Sequence, residues 1–276
     1  MLGSIFSGYK IIDRLGGGNT GIVYKAVDQN GRIVALKILA NDLLISREKQ
    51  ARFLRESQAA VMLEHPSIAQ LLEVGEYHNC SYFAMEFIEG KSFRDVIDSH
   101  PTGLPIDLFF ETVEPVMSGL AYAHDMNLIH RDLKPENLRL TLDGLPKILD
   151  FGLVKFMDED SKDDGGFKTL TGMVLGSARY MSPEQANAEP LDARTDVFSM
   201  GIIMYELLTG SNPFDARSPF VTMQRILTHN PVSAELVRPD APLSLCAVIS
   251  RCLAKEPDLR YDNAIQLQEA LQSART

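Results

Sequence analysis

The chain is short of cysteine, of positive charge and of long apolar runs, and each shortage removes a class of protein. Its three cysteines, Cys80, Cys246 and Cys252, are an odd number without paired metal-ligand spacing. Neither a disulfide framework nor a cysteine-based metal site is expected, and a reduced, cytoplasmic setting fits best. Lys and Arg total 27 against 37 Asp and Glu, a formal net charge of -10. Nucleic acid and anionic membrane surfaces would on average repel such a chain, so neither is expected as a partner. The start, Met1 to Phe6, is apolar but lacks the basic flank and long apolar run of a signal peptide. The most apolar later stretch, Val197 to Leu208, carries Glu206 and is too short to span a bilayer. No membrane contact is expected of this segment.

What is present suits a folded unit with two lobes. With 276 residues and 45% hydrophobic content, the chain can bury a substantial core and lies near the size at which one core divides. From Tyr9 to Phe87 short β-rich runs dominate: Tyr9 to Leu15, Gly21 to Asp28, Arg32 to Leu39, Leu71 to Tyr77 and Ser81 to Phe87. Asn30-Gly31 is a hairpin signal. Ser46 to Leu63 has apolar residues at helical spacing and ends before His65-Pro66, where further helix is disfavoured. After Gly90 the pattern turns helical, over Ile106 to Asp125, Asp192 to Gly210, Pro219 to Leu227, Leu243 to Lys255 and Asn263 to Ala274. The expectation is a small antiparallel sheet with one helix, followed by a mainly α part, with no internal repeat.

The chemistry concentrates in His130-Arg131-Asp132-Leu133-Lys134-Pro135-Glu136-Asn137 and in Asp150-Phe151-Gly152. Together they supply a base, a cation and two metal ligands. Moving a γ-phosphoryl group asks for that equipment, since catalysis there is mostly positioning and charge neutralisation. Upstream, Leu15-Gly16-Gly17-Gly18-Asn19-Thr20-Gly21-Ile22-Val23 fits a hairpin whose missing side chains let backbone N–H groups approach phosphates. Taken alone, an ordinary glycine turn is the better reading of it. A strand on each side argues against a dinucleotide fingerprint, which needs a helix directly after the glycines. Lys37 sits in the apolar run Val34-Ala35-Leu36-Lys37, where a bare ammonium is costly without an anion; it is either phosphate-directed or an edge lysine reaching solvent.

These motifs, in this order and spacing, resemble the protein kinases from about Tyr9 to the final helix, and most nearly the eukaryotic-like Ser/Thr kinases of bacteria. The resemblance implies an α+β, bilobal protein-kinase-like fold over residues 1–276. Its N-lobe would span about 9–87, its hinge about 86–90 and its C-lobe about 91–276. It implies ATP as cofactor with Mg²⁺, or Mn²⁺ in its place, and protein substrates with Ser or Thr acceptors. A kinase-domain dimer during autophosphorylation is a further partner that the likeness allows. So is membership of a longer membrane-anchored protein, with this chain as its cytosolic part.

Residue by residue, the resemblance makes Asp132 the base, Lys134 the cation on the transferring phosphate, and Asn137 and Asp150 the metal ligands. Lys37 and Glu56 become the pair that orients the α- and β-phosphates; Glu56 would otherwise be a solvated helix charge. Leu15, Gly16, Gly17, Gly18, Asn19, Thr20, Gly21, Val23, Ala35, Met85, Glu86, Ile88 and Arg139 would surround ATP. Arg131 beside the base could pair with a phosphate on a downstream segment, and Thr169 and Thr171 are the candidate phosphosites. Glu184 is expected to pair with Arg260, and Asp196 to brace the catalytic loop, both structurally. His130 and Phe151 are expected to pack. One position departs from the kinase pattern: Arg139 stands where an apolar floor for adenine is expected. The guanidinium could stack on the base, turn to solvent or weaken nucleotide binding. That residue is what favours a pseudokinase scaffold as the alternative to an active enzyme. A small-molecule phosphotransferase is a third reading, disfavoured by Ser182-Pro183-Glu184 and the segment from Thr169 to Tyr180, which resemble a peptide platform.

Overall fold

A computed structural model of the chain describes residues 2–18, 21–40, 61–151 and 177–275. The described residues up to Glu89 form one compact unit and those from Gly90 another. The first is a six-stranded antiparallel sheet in the order β1-β2-β3-β4-β6-β5. Its strands are β1 Ile5–Phe6, β2 Tyr9–Gly18, β3 Gly21–Val27, β4 Ile33–Leu39, β5 Leu71–Tyr77 and β6 Cys80–Glu86. Two residues are too few for alternation to show, so β1 was not expected. β2 runs three residues beyond Leu15, because Gly16, Gly17 and Gly18 pair with Val23, Ile22 and Gly21. The turn after β3 follows Asn30-Gly31: the Asp28 carboxylate accepts the N–H of Asn30 and of Arg32 at 2.8 Å, and Gly31 takes φ 82°. β6 begins at Cys80 rather than Ser81 because His78 and Asn79, both left-handed, complete a two-residue hairpin turn.

Strand alternation gives this sheet two different faces. On one, Tyr24, Ala26, Val34, Leu36, Ile38, Tyr82 and Ala84 pack with Phe6, Tyr9 and Ile11 into an apolar core. The Tyr9 and Tyr82 hydroxyls both donate to the Glu73 carboxylate, each at 2.5 Å. Burial, and then Glu73, push both phenols above their ordinary value. The other face carries Val23, Ala35, Lys37, Phe83 and Met85, which stand opposite one another in the register. The helix expected over Ser46 to Leu63 lies almost wholly outside the described residues.

The second unit is mainly helical. Its helices are α1 Phe93–Asp98, α2 Ile106–Asp125, α3 Pro183–Ala186, α4 Ala193–Thr209, α5 Pro219–Thr228, α6 Ala234–Val237, α7 Leu243–Cys252 and α8 Ala264–Arg275. A three-stranded sheet joins β7 Gly90–Ser92, β8 Leu138–Thr141 and β9 Pro146–Ile148. α2 has the bounds its periodicity implies. α4 is capped by the Asp192 side chain on Arg194 N–H and ended by Gly210 at φ 77°, so the expected range had counted both caps. Every residue of α4 from Thr195 to Thr209 is buried, which makes it the axis on which this unit packs. α7 stops at Cys252, short of Lys255, with Leu253 as its C-cap, and beyond it the carbonyls of Ala254 and Lys255 accept from the Arg260 side chain. Cys246 and Cys252 lie in α7, buried, with thiols pushed up by that burial, as befits unreactive core residues. Among the described residues no helix is long and apolar enough to cross a membrane.

Candidate active site

In the first unit the glycine run is a strand of a hairpin and not a loop before a helix. Gly21 has φ 140°, and a Cβ there would lie 2.2 Å from the Ile38 carbonyl oxygen, so only glycine lets β3 and β4 close at this point. Lys37 is 7% exposed and shares its face with Val23, Ala35 and Met85. Four expected nucleotide contacts are thus gathered on one surface. Met85 and Ile88 are buried, while Glu86 is half-buried with its N–H on the Gln70 carbonyl at 2.8 Å. Leu15 is 46% exposed within β2. Asn19, Thr20, Glu56, Thr169 and Thr171 lie outside the described residues.

In the second unit the segment from His130 to Asn137 ends in a 3-10 turn, Pro135–Asn137, that leads directly into β8. Arg131 takes φ 68° and Asp150 φ 55°, left-handed conformations that non-glycine residues adopt only when neighbours hold them. The Lys134 ammonium donates to Asp132 Oδ2 at 2.5 Å, and Asn137 Nδ2 reaches the same oxygen at 3.1 Å and the Asp132 carbonyl at 2.7 Å. Asp132 Oδ1 has no hydrogen-bond partner among the described residues, nor has Asn137 Oδ1. Leu149, next to Asp150, is held on both sides: its N–H donates to the Asn137 carbonyl at 2.8 Å and its carbonyl meets His130 Nε2 at 2.8 Å. The loop and the residue before Asp150 are therefore fastened to each other, by main chain at Asn137 and through the His130 ring. His130 is fully buried and stacks edge-on against Phe151, the packing role expected of both.

Behind the loop stand two buried carboxylates. Asp196, wholly buried, accepts His130 N–H at 2.7 Å, Arg131 N–H at 2.8 Å and His124 Nε2 at 2.9 Å. Burial alone would raise its pKa, but the hydrogen bond from His124 and the backbone donors hold it below the ordinary value. Glu184, 5% exposed, forms a two-pronged pair with Arg260 at 2.8 and 2.9 Å and accepts the Thr195 hydroxyl at 2.8 Å. Here too burial opposes ionisation and the guanidinium outweighs it, leaving the carboxyl below its usual 4.5. The remaining Arg260 donors go to the carbonyls of Ala254, Arg194 and Lys255, so all five are used. Both structural assignments made from the sequence are seen in these contacts.

Three features escaped the sequence reading. Gln185 bridges Ser182 N–H and the Arg131 carbonyl, at 3.0 and 2.6 Å, and so ties α3 to the loop. Its signal, Ser182-x-x-Gln185 as a capping box, was legible. His124 in the last turn of α2 carries no motif. Glu206, noted only as a charge in an apolar run, accepts Tyr180 O–H at 2.5 Å and Arg94 at 2.9 Å; burial, then the Glu206 charge, push the Tyr180 phenol up. Arg139 is half-buried in β8. It stands opposite Ser92, donates through Nη2 to the Gly90 carbonyl, and lies near enough to Asp95 to help hold that carboxyl down after the larger effect of Ser92.

Comparison with known proteins agrees with this arrangement. The family model for the protein kinase domain matches residues 9–273. A probable serine/threonine-protein kinase of Clostridium acetobutylicum is 34% identical over 277 residues, covering 100% of this chain and 41% of that protein. Another from Streptomyces coelicolor is 36% identical over 265 residues, covering 94% and 39%. The chain spans about two fifths of the length of these curated relatives. The crystal structure of the Mycobacterium tuberculosis PknI kinase domain superposes with a TM-score of 0.76 at 27% identity, covering 99% of each chain. The fold is that of these domains, an antiparallel sheet unit and a helical unit.

Proposed function

The chain belongs to the protein kinase domain family, and from that premise we propose that it transfers the γ-phosphoryl group of ATP to Ser or Thr hydroxyls of protein substrates. The observation that carries this reading is the state of Asp132. One carboxylate oxygen is held by Lys134 and Asn137 while the other accepts nothing among the described residues. A carboxylate fixed at one oxygen and open at the other can accept the acceptor hydroxyl's proton at Oδ1 without losing its orientation. Lys134, already beside it, places positive charge where the transferring group would gain negative charge, and in this family a lysine there accompanies Ser/Thr acceptors.

The donor set suits Mg²⁺. Asn137 spends its Nδ2 on Asp132, which leaves its carbonyl oxygen without a partner among the described residues, and Asp150 adds a carboxylate. Hard oxygen donors, few in number and completed by phosphate oxygens and water, are what Mg²⁺ takes, and Mn²⁺ accepts the same set. When bound, ATP supplies the transferable group and the metal neutralises charge on its oxygens. In the first unit, Lys37 with Glu56 would anchor phosphates. The glycine hairpin, Val23, Ala35, Met85, Glu86 and Ile88 would cover the nucleotide.

Regulation by phosphorylation fits a further detail. Arg131 Nε is buried and has no hydrogen-bond partner among the described residues, as expected of a cation that awaits an anion such as phosphorylated Thr169 or Thr171. The Thr169→Ala/Thr171→Ala protein should lose activity in a purified assay; full activity would remove this part of the proposal. The pseudokinase reading rests on Arg139 alone. Incubation with Mg²⁺ and labelled ATP, beside Lys37→Met and Asp132→Asn, separates the two. Transfer by the wild type and loss in both variants is expected, whereas neither autophosphorylation nor transfer to a generic protein would favour a scaffold.

A further inference from the structure

Asp196 has no Lys or Arg partner among the described residues; its charge is met by three N–H donors. Two of them belong to His130 and Arg131, immediately before Asp132. The third is the His124 ring, whose side chain is 1% exposed. The other ring nitrogen, Nδ1, accepts the N–H of Ala264 at 3.0 Å. Ala264 opens α8, and amides of a first helical turn have no partner within their own helix. One of those orphan donors is therefore spent on His124.

The two contacts fix the ring's protonation. Nδ1 must offer a lone pair to the amide, so the proton sits on Nε2 and points at Asp196, and the imidazole is neutral. A continuous buried chain of hydrogen bonds follows: Ala264 N–H to His124, His124 to Asp196, Asp196 to the N–H groups of His130 and Arg131. It ends on the residue with φ 68°, whose left-handed backbone is held from one side by Asp196 and from the other by Gln185. The direction in which Asp132 leaves that backbone depends on both.

We infer that His124 is a positioning residue for phosphoryl transfer. As the Nε2–H tautomer it orients the Asp196 carboxylate that holds Arg131 and so aims Asp132. Through Nδ1 it makes the docking of α8 a condition of that aim. The inference rests on Asp132 acting as the base.

Two substitutions separate the ends of the ring. His124→Gln retains an N–H that can reach Asp196 and loses the acceptor for Ala264. His124→Asn retains an acceptor near the Nδ1 position and loses the donor to Asp196. With full-length chain, Mg²⁺, ATP and a generic protein substrate, His124→Asn should lower kcat ~10- to 100-fold, the range for a misplaced catalytic group. KM for ATP should stay within about twofold, and His124→Gln should recover most of kcat at a similar cost in melting temperature, since rescue follows the Asp196 end. Equal kcat losses in both variants, tracking melting temperature, would leave His124 a packing residue and overturn the inference, as would no loss in either. Wild-type protein without any transfer would instead overturn the kinase reading, and this role with it. Should the asparagine variant not fold, the histidine ¹⁵N spectrum of the wild type decides, with His124 assigned by its disappearance in His124→Gln. An unprotonated Nδ1 and protonated Nε2 at neutral pH is expected, and the opposite tautomer or an imidazolium overturns the inference.

Discussion

Asp132 and Glu184, both in the second unit, make an instructive pair. The Glu184 carboxylate is almost fully buried and bonded at both oxygens, by two prongs of Arg260 and a threonine hydroxyl. The Asp132 side chain is 29% exposed and satisfied at one oxygen only. A carboxylate buried and bonded at both oxygens is closed to a substrate, and removing its partner strands a charge in a dry interior. A half-satisfied one is oriented and still reactive. On the proposed function the difference gives stability to the first and chemistry to the second, and it can be tested by exchanging the two readouts.

The largest effect is expected at Asp132. Asp132→Asn keeps the shape and removes the base, so transfer should fall ~10²- to 10⁴-fold in a labelled-ATP assay, with denaturant stability changed by less than about 1 kcal/mol. Next comes Arg260→Met, which leaves Glu184 buried without its cation. Chemical denaturation should report a loss of about 3–5 kcal/mol. Smaller is Thr195→Val, which takes one donor from Glu184 and should cost about 1–2 kcal/mol in the same experiment while leaving transfer intact.

The smallest expected effect is a slope. The folded pKa of Glu184 lies below its ordinary 4.5, so the unfolded chain binds the proton more readily. The resulting stabilisation is complete above 4.5 and is lost as pH falls through the lower, folded value. Denaturation measured from pH 6 downward should show that loss in the wild type. The Glu184 share of it should be absent from Arg260→Met, where the cause of the shift is gone.

Legibility in the sequence followed what each residue does. His130 to Asn137 stood out because its residue types are those the proposed chemistry would need, and Glu184 with Arg260 could be read because a motif carries the pair. The central strands and α2 showed in alternation and period. Strand β1 did not, since two residues have no period, and beyond the end of α7 the carbonyls of Ala254 and Lys255 turn to Arg260, a residue outside the helix. His124 was invisible for a similar reason: its partners, Asp196 and Ala264, lie 72 and 140 residues further along the chain. For Arg139 the sequence showed an oddity but not its outcome, because the Gly90 carbonyl that receives the guanidinium comes within reach only once β7 pairs with β8.

The most direct test measures transfer rate and unfolding free energy together in Asp132→Asn and Arg260→Met. A crossed pattern is expected: Asp132→Asn stable and inactive, Arg260→Met several kcal/mol weaker yet, under conditions where it is folded, still able to transfer phosphate. An Asp132→Asn protein that transfers phosphate at the wild-type rate would contradict it.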